Sequence, residues 1–303
     1  MLNYDHIRNY HKGEKKSMYY LLGISVLAAS FNSVLLNKSG VHKKDEIFKF
    51  NFLNAIVWYI ILAVINKGKI HINAQVLLWG VVYGLTQALF ILSKTGAMSS
   101  GPVAVTTLVG NSSLLISVLA SLVIWKEKVT ITDVVGLALL LIAIALCTYK
   151  RTESTYQRKW KYYVVFFLVF AASVGVVFKA FGKSGGLNFC GDMMIVSAIV
   201  MIVFYLGAML IVGRKENKTT HRQRTYGFIA YALFCGVLSC LYNRLNIFLS
   251  GSMDAIIFFP AFNGGVVLLS TLLSLWICKE KLEKRQAIGI ALGIIAIALI
   301  GIL

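Results

Sequence analysis

Residues 125–146 of the chain read WKEKVTITDVVGLALLLIAIAL, and residues 278–299 read CKEKLEKRQAIGIALGIIAIAL. Both stretches begin with a Lys-Glu-Lys group and continue into a long apolar run. The second stretch starts 153 positions after the first, in a chain of 303 residues. A repeat at about half of the chain length indicates a duplicated architecture.

The similarity extends on both sides of these stretches. Residues 116–150 align with residues 269–303 without a gap, and YYLLGISVLAAS (19–30) matches YYVVFFLVFAAS (162–173). We therefore predict two repeats, residues 1–150 and residues 151–303. A duplicated scaffold with no transport role is the alternative. The identities in the gap-free alignment include Ser117/Ser270, Leu119/Leu272, Ser121/Ser274, Lys126/Lys279, Glu127/Glu280, Lys128/Lys281, Gly136/Gly289 and Ala143/Ala296.

Composition places the repeats in a membrane. Hydrophobic residues make up 58% of the chain, charged residues 14%, and the mean hydropathy is +0.77. Soluble domains carry about 25% charged residues, and a helix crosses the hydrocarbon core with about 20 apolar residues. Ten segments of this kind are predicted, at residues 17–37, 48–66, 74–94, 102–125, 131–149, 161–181, 192–212, 225–249, 255–278 and 284–303.

Each repeat holds five spans, so the second repeat enters the membrane in the opposite orientation to the first. Inverted repeats are typical of transporters that work by alternating access around a midplane site. The predicted fold class is therefore an all-α integral membrane protein with ten transmembrane helices in two inverted five-helix repeats.

The five-plus-five layout and the charged turns WKEK (125–128) and CKEK (278–281) resemble those of the EamA family of the drug/metabolite transporter superfamily. This resemblance covers the whole chain. It implies a basket of ten helices around a central cavity, with spans five and ten at the periphery. It also implies transport of small metabolites such as amino acids or choline-like compounds.

Titratable residues argue against other functions. All twelve Asp and Glu fall in loops or at helix ends, and the five His lie outside the predicted spans. Small multidrug exporters, relatives of the EamA family, use an intramembrane Glu, which is missing here. An intramembrane metalloenzyme would need clustered His and carboxylate ligands. We predict no enzyme, no cofactor and no metal. The five Cys form no CxxC pair and are predicted to be small apolar residues.

Neutral polar and cationic residues inside the spans are the candidate site. Helical spacing places Tyr83 and Gln87 on one face of span three, and Ser239 and Asn243 on one face of span eight. Interhelical hydrogen bonding is the alternative role for each Asn, Ser and Thr. The predicted substrate-binding residues are Asn32, Tyr83, Gln87, Thr107, Asn111, Ser239, Asn243, Arg244 and Asn263.

Charged and helix-breaking residues refine this prediction. Arg244, Lys94 and Lys179 either face a cavity or extend to the membrane interface. An Arg fork without a neighbouring acid prefers a carboxylate or phosphate, so an anionic or zwitterionic metabolite, for example an amino acid, is the expected substrate. Pro260 lies inside span nine, where it is expected to break or kink the helix as a gating element. A lipid or lipid-linked-sugar translocator and a passive facilitator are the alternatives.

Charge also bears on partners and orientation. The net charge is +18, but Lys and Arg lie in short clusters between apolar runs, which is typical of loops beside lipid headgroups. We predict membrane lipids, a small-molecule substrate and a homodimer as partners, and no nucleic acid. Loops that follow odd-numbered spans hold 19 Lys and Arg, and the rest of the chain holds 11. The positive-inside rule then places the termini outside, whereas the family resemblance places them in the cytoplasm. The expected location is the plasma (inner) membrane.

Overall fold

The computed structural model describes residues 4–39, 44–101, 103–148, 158–213, 225–277 and 283–302. Within these ranges the chain is helical and contains no strand. A short 3₁₀ turn at Gly186–Phe189 precedes α8. The helices are α1 (Tyr4–Ser39), α2 (Lys44–Ile65), α3 (Ala74–Ser100), α4 (Val103–Asn111), α5 (Ser113–Trp125), α6 (Ile131–Thr148), α7 (Trp160–Lys183), α8 (Cys190–Gly213), α9 (Thr225–Ser252), α10 (Ala255–Ile277) and α11 (Lys284–Ile302).

These helices agree with the predicted spans in number and order, with α4 and α5 together forming span four. In the part of the chain that the structure describes, nine segments are long and apolar enough to cross a membrane, and α11 is a further apolar helix of 19 residues. Large apolar side chains lie exposed on the outside of the bundle, among them Val64 (71% exposed), Val123 (77%) and Trp276 (79%). A lipid-facing surface accounts for this exposure.

Span four is interrupted, which the sequence did not predict. The Ser112 amide donates to the carbonyls of Leu108 (3.0 Å) and Val109 (3.1 Å), and the Leu115 amide donates to the Ser112 carbonyl (3.0 Å). Bonds of the i→i−3 type tighten the helix into a local 3₁₀ turn. The sequence Gly-Asn-Ser-Ser at 110–113 favours this because its residues are poor helix formers. The Ser112 hydroxyl also donates to the Leu108 carbonyl (3.0 Å).

Pro260 does not break its helix. α10 continues from Ala255 to Ile277 with Pro260 inside it, so the expectation of a break is wrong, while a kink remains a prediction. Pro260 is the sixth residue of the helix and removes only the backbone bond to the Ile256 carbonyl. Membrane helices tolerate this loss where neighbouring groups pack around the proline, and Pro260 itself is buried.

α6 and α11 pack against each other reciprocally. A side-chain Cβ on Gly136 would lie 2.6 Å from Ile300 and 3.2 Å from the Ala296 carbonyl. A Cβ on Gly289 would lie 2.8 Å from Cys147 and 3.0 Å from the Ala143 carbonyl. Gly136 and Gly289 are aligned positions of the repeats, as are Ala143 and Ala296. The two helices are therefore antiparallel and meet through equivalent surfaces, with small residues allowing the close approach.

Contacts between other helices also occur in matched sets. α1 contacts α9 and α10, and its counterpart α7 contacts α3 and both parts of span four. α2 contacts α9, and its counterpart α8 contacts α3. α2 and α8 contact each other. Exchanging the first five spans with the last five maps each of these contacts onto another one, except that of α2 with α8, which maps onto itself; the contact of α7 with α9 has no counterpart of similar extent.

Candidate functional site

A cluster of polar side chains joins the two halves inside the bundle. The Trp58 indole on α2 donates to the Ser239 hydroxyl on α9 at 2.7 Å. The Tyr83 hydroxyl on α3 donates to the Asn243 side-chain oxygen at 3.0 Å, and the Asn243 amide donates to the Ser239 carbonyl at 2.8 Å. We call Trp58, Tyr83, Ser239 and Asn243 the α9 polar cluster. Two helices of the first half are thus bonded to α9 of the second.

Burial of the α9 polar cluster explains its bonding. Tyr83 is fully buried, Trp58 and Asn243 are nearly so, and Ser239 is 8% exposed. Polar groups at this depth must be paired inside the protein because lipid offers no hydrogen bonds. Three of the predicted site residues therefore meet, but their polar groups bond to each other and to Trp58. Interhelical bonding, the alternative role, describes their state in this structure.

Two partners in this region were not predicted. Trp58 was absent from the sequence prediction, although a buried indole N–H usually finds an acceptor. Ser25 on α1 donates to the Asn246 side-chain oxygen on α9 at 2.6 Å and is fully buried. This bond adds a third helix of the first half to the contacts with α9. The sequence holds no signal for either contact, because both depend on how the helices pack.

Other predicted site residues keep polar groups available. Gln87, Asn111 and Arg244 are half-buried, and none has a hydrogen bond or ion pair to a residue within the described ranges. The Asn32 side-chain oxygen is buried without a hydrogen-bond partner among the described residues. An unsatisfied buried acceptor costs free energy, so it marks a place where a donor from a ligand or water would stabilise the protein.

The remaining predicted residues, Asn263 and Thr107, already have partners. The Asn263 amide donates to the Phe259 carbonyl one helical turn away, at 2.9 Å. Thr107 is half-buried on α4 and is not free of partners. The role of both residues in substrate binding remains a prediction.

The three intramembrane cations have different surroundings. Arg244 is half-buried on α9, and no ion pair joins it to a described carboxylate. The Lys94 ammonium lies 5.9 Å from the centroid of the Phe90 ring on its own helix, a cation–π contact. Lys179 is buried and does not face an open cavity.

Lys179 is fully buried and forms an ion pair with Glu127. Its ammonium also donates to the Met253 carbonyl at 2.8 Å. The second Glu127 oxygen accepts from the Ala255 amide at the start of α10, at 2.8 Å. The sequence prediction placed Glu127 in a loop, which is confirmed, but did not foresee that the carboxylate is buried and paired.

This ion pair lies on one face of the bundle, where the turns after even-numbered spans come together. We call the turns at 66–73, 126–130, 184–189 and 253–254 the even-turn face. Asn66 donates to the Asp192 carboxylate at 2.9 Å, and Gln75 donates to the Ser184 carbonyl and hydroxyl, both at 2.7 Å. Each of these bonds connects the first half to the second, so polar contacts hold the halves together at this face.

Two cavities open on the sides of the bundle. One, of about 430 Å³, lies between α3, α5 and α7 and is mostly apolar. The other, of about 320 Å³, lies between α4, α6 and α11. Neither is lined by a predicted substrate-binding residue. The described ranges hold no group of three or more His, Cys, Asp or Glu able to bind a metal ion, and the Cys at 147, 190, 235 and 240 are buried and free. Cys278 lies outside the described residues.

Comparisons with known proteins support this architecture. Residues 16–149 match the model of the EamA-like transporter family. A search of curated proteins gives no match. A crystal structure described only as that of a protein aligns with a TM-score of 0.68 and 15% identity, over 95% of this chain and 97% of that chain. At this identity the likeness concerns the fold alone, and it extends over both halves.

Proposed function

We propose that the whole chain moves a small metabolite across a membrane by alternating access, because residues 16–149 match the model of the EamA-like transporter family. The two halves, residues 1–150 and 151–303, act as inverted repeats that move against each other. The substrate is anionic or zwitterionic and carries a carboxylate, as an amino acid does.

The reciprocal contact of α6 with α11 supports the inverted-repeat part of this proposal. Antiparallel helices that meet through equivalent residues are what a two-fold axis in the membrane plane produces. The helices that α1 contacts correspond to those that its counterpart α7 contacts, and the same holds for α2 and its counterpart α8. These correspondences follow the same exchange of the two halves. In such transporters the substrate site lies between the halves, where the α9 polar cluster joins α2 and α3 to α9.

The surroundings of Arg244 are the observation that supports an anionic or zwitterionic substrate. Its guanidinium is half-buried, and no described carboxylate lies within ion-pair distance of it. A cation at membrane depth without an acidic partner favours an anionic ligand, and the planar guanidinium suits a carboxylate. The unpaired groups of Asn32, Gln87 and Asn111 would bond the remaining polar groups of such a ligand.

A lipid or lipid-linked-sugar translocator is the second candidate, and the lateral cavity between α3, α5 and α7 favours it. Its lining includes Val82, Ile116 and Val169, and only Thr86 and Ser173 among its residues carry hydroxyls. An apolar cavity of about 430 Å³ that opens towards lipid suits an acyl chain. A passive facilitator would use the same helices without a change of access.

The apolar surface of the bundle supports a location in a membrane. It is a multi-pass integral membrane protein, and we place it in the plasma (inner) membrane, with membrane lipids as partners and no nucleic acid. A homodimer remains part of the proposal. Two glycines of α11 do not serve it, because Gly289 faces α6 and Gly293 faces Leu268 of α10.

Counterflow in proteoliposomes tests the function. Vesicles loaded with unlabelled amino acids or organic acids should accumulate the labelled compound transiently, and quaternary amines should not compete. Arg244→Ala should weaken carboxylate binding about tenfold or more, the loss expected for a charge-assisted hydrogen bond. Arg244→Lys keeps the positive charge but lacks the planar guanidinium, so its carboxylate affinity should lie between those of the wild type and Arg244→Ala.

The controls separate the candidates. Lys183→Ala removes an exposed cation and should leave counterflow unchanged. Linear flux without counterflow would show a facilitator, and headgroup-dependent lipid movement would show a translocator. Unchanged carboxylate affinity in Arg244→Ala would contradict the role of Arg244.

A further inference from the structure

The Glu127 carboxylate occupies a small, well-defined site. One oxygen pairs with the Lys179 ammonium, and the other accepts from the Ala255 amide at 2.8 Å. The Lys179 side chain is fully buried and that of Glu127 is 7% exposed. The site therefore presents two donors to the two oxygens of one carboxylate, and the positive end of the 23-residue helix α10 adds to the attraction.

All groups that hold the carboxylate come from the second half of the chain. Lys179 is near the end of α7, Met253 is in the turn between α9 and α10, and Ala255 begins α10. Glu127 belongs to the first half, in the turn between α5 and α6. The second half therefore supplies the binding groups, and the first half supplies the carboxylate that they bind.

Separation of the halves at the even-turn face would have to break this contact. Removing one partner of a buried ion pair is unfavourable because the other charge is left uncompensated. The Lys179 ammonium would then need another anion. A carboxylate that enters from this face can supply it, which makes opening easier when an anionic substrate is present.

We propose that Lys179 and the N-terminus of α10 form a carboxylate-binding site, which Glu127 occupies in the closed form. When the even-turn face opens, the carboxylate of an entering substrate takes the place of Glu127 before the substrate reaches Arg244. The ligand class rests on the proposed function, but the site itself does not depend on transport and can be tested without it.

Chemical rescue tests the site in the purified full-length protein. Glu127→Ala empties it and should lower the Tm. Formate and acetate should then restore most of the lost Tm with a saturable dependence on concentration, because a ligand of the native state stabilises it by mass action. Sodium chloride at equal ionic strength should not restore the Tm. The wild type, whose site is filled, should respond to formate no more than to chloride.

Two variants make the result specific. Glu127→Ala/Lys179→Met lacks the ammonium and should show no formate effect. Asp254 is exposed and acts electrostatically on Lys179, so it could replace Glu127. Glu127→Ala/Asp254→Asn removes this substitute and should keep or increase the response to formate.

Each outcome decides the question. Equal effects of formate and chloride, or an equal formate effect without Lys179, would overturn the site. If Glu127→Ala cannot be purified folded, it is prepared in formate and exchanged into chloride or fresh formate. Loss of folding in chloride alone supports the site, and loss in both salts, or in neither, contradicts it.

Counterflow tests the exchange of Glu127 for substrate. Glu127→Ala, which lacks the competing carboxylate, should lower the half-saturating concentration of carboxylate substrates severalfold, and Lys179→Met should raise it. Equal half-saturation in the two variants would overturn the exchange. If formate does not rescue Glu127→Ala but carboxylate counterflow depends on Arg244, the site at Lys179 is overturned and the proposed function stands. If formate rescues Glu127→Ala but no carboxylate counterflow is measured, the site stands and the proposed function is overturned.

Discussion

The charged turns of the two repeats differ in what their acidic residues do. In the first repeat, Glu127 is buried and binds Lys179 and the start of α10. In the second, the described part of the turn holds Glu283, which is 48% exposed and pairs with Arg285 at 2.6 Å. Glu280, the aligned partner of Glu127, lies outside the described residues. The repeat thus places acids in both turns: the first turn buries Glu127, and the described part of the second exposes Glu283.

The helix starts that follow these turns are alike despite different residues. Thr130 donates its amide to Asp133 at 2.9 Å, and Glu283 donates its amide to Gln286 at 3.1 Å. The alignment pairs Thr130 with Glu283 and Asp133 with Gln286. In each repeat a side chain three residues into the helix therefore caps the backbone before it. The backbone geometry is repeated, although the capping side chains differ.

The largest expected effect comes from the buried pair. Lys179→Met leaves Glu127 buried without a cation and should destabilise the protein by about 3–5 kcal/mol. Thermal or denaturant unfolding in detergent measures this loss. Lys179→Met/Glu127→Gln keeps an acceptor for the Ala255 amide and removes both charges, so it should recover most of the stability. A double variant as unstable as Lys179→Met would show that charge pairing is not the cause.

The sequence predicted the scaffold well because the relevant signals are local or periodic. Apolar runs located the spans, and the 153-residue offset identified α6 and α11 as equivalent helices of the two repeats. The interruption at Ser112 was missed because a run of weak helix formers at 110–113 has a small effect that packing decides. Pro260 was expected to break or kink α10; the helix is not broken, because one lost backbone bond near a helix start is tolerated in a packed bundle.

The second effect concerns the contact between α6 and α11. Gly136→Val and Gly289→Val each place a side chain against the opposite helix and should cost about 1–3 kcal/mol through overpacking. Because the two surfaces are equivalent, the two variants should lose similar amounts of stability, which is measured as the decrease in Tm. Gly23→Val is the matched control, because nothing lies within 4 Å of its Cβ position. A large loss at only one of the two glycines would show that the reciprocal contact is not equivalent in energy.

The candidate site was less predictable because its contacts join distant parts of the chain. Helical spacing grouped Ser239 with Asn243, and both are buried on α9. Spacing within one helix could not show that Tyr83 and Trp58 would be their partners. Glu127 and Lys179 are 52 positions apart, and neither residue alone shows that it is buried. Pairing of this kind depends on tertiary packing, which propensity and periodicity do not contain.

The third effect compares the two helix caps. Asp133 accepts from both the amide and the hydroxyl of Thr130, at 2.9 and 2.7 Å, and its charge favours a helix N-terminus. Asp133→Ala should cost about 1 kcal/mol, the usual loss of a cap. Gln286 is neutral and accepts one bond, so Gln286→Ala should cost less. Unfolding of both variants under one condition gives the comparison, and a greater loss for Gln286→Ala would contradict it.

The smallest effect is expected at the exposed pair. Glu283→Ala removes the carboxylate that Arg285 contacts, but both side chains are more than 40% exposed, so water and salt screen the interaction. Pairs of this kind contribute about 0.2–1 kcal/mol, and the loss should fall further at high salt. Glu283→Gln is the control, since it keeps the size and removes the charge. Unfolding at low and high salt measures both variants. A salt-independent loss as large as that of Lys179→Met would mean that the second turn buries its charges as the first one does, and the contrast between the repeats would then be lost.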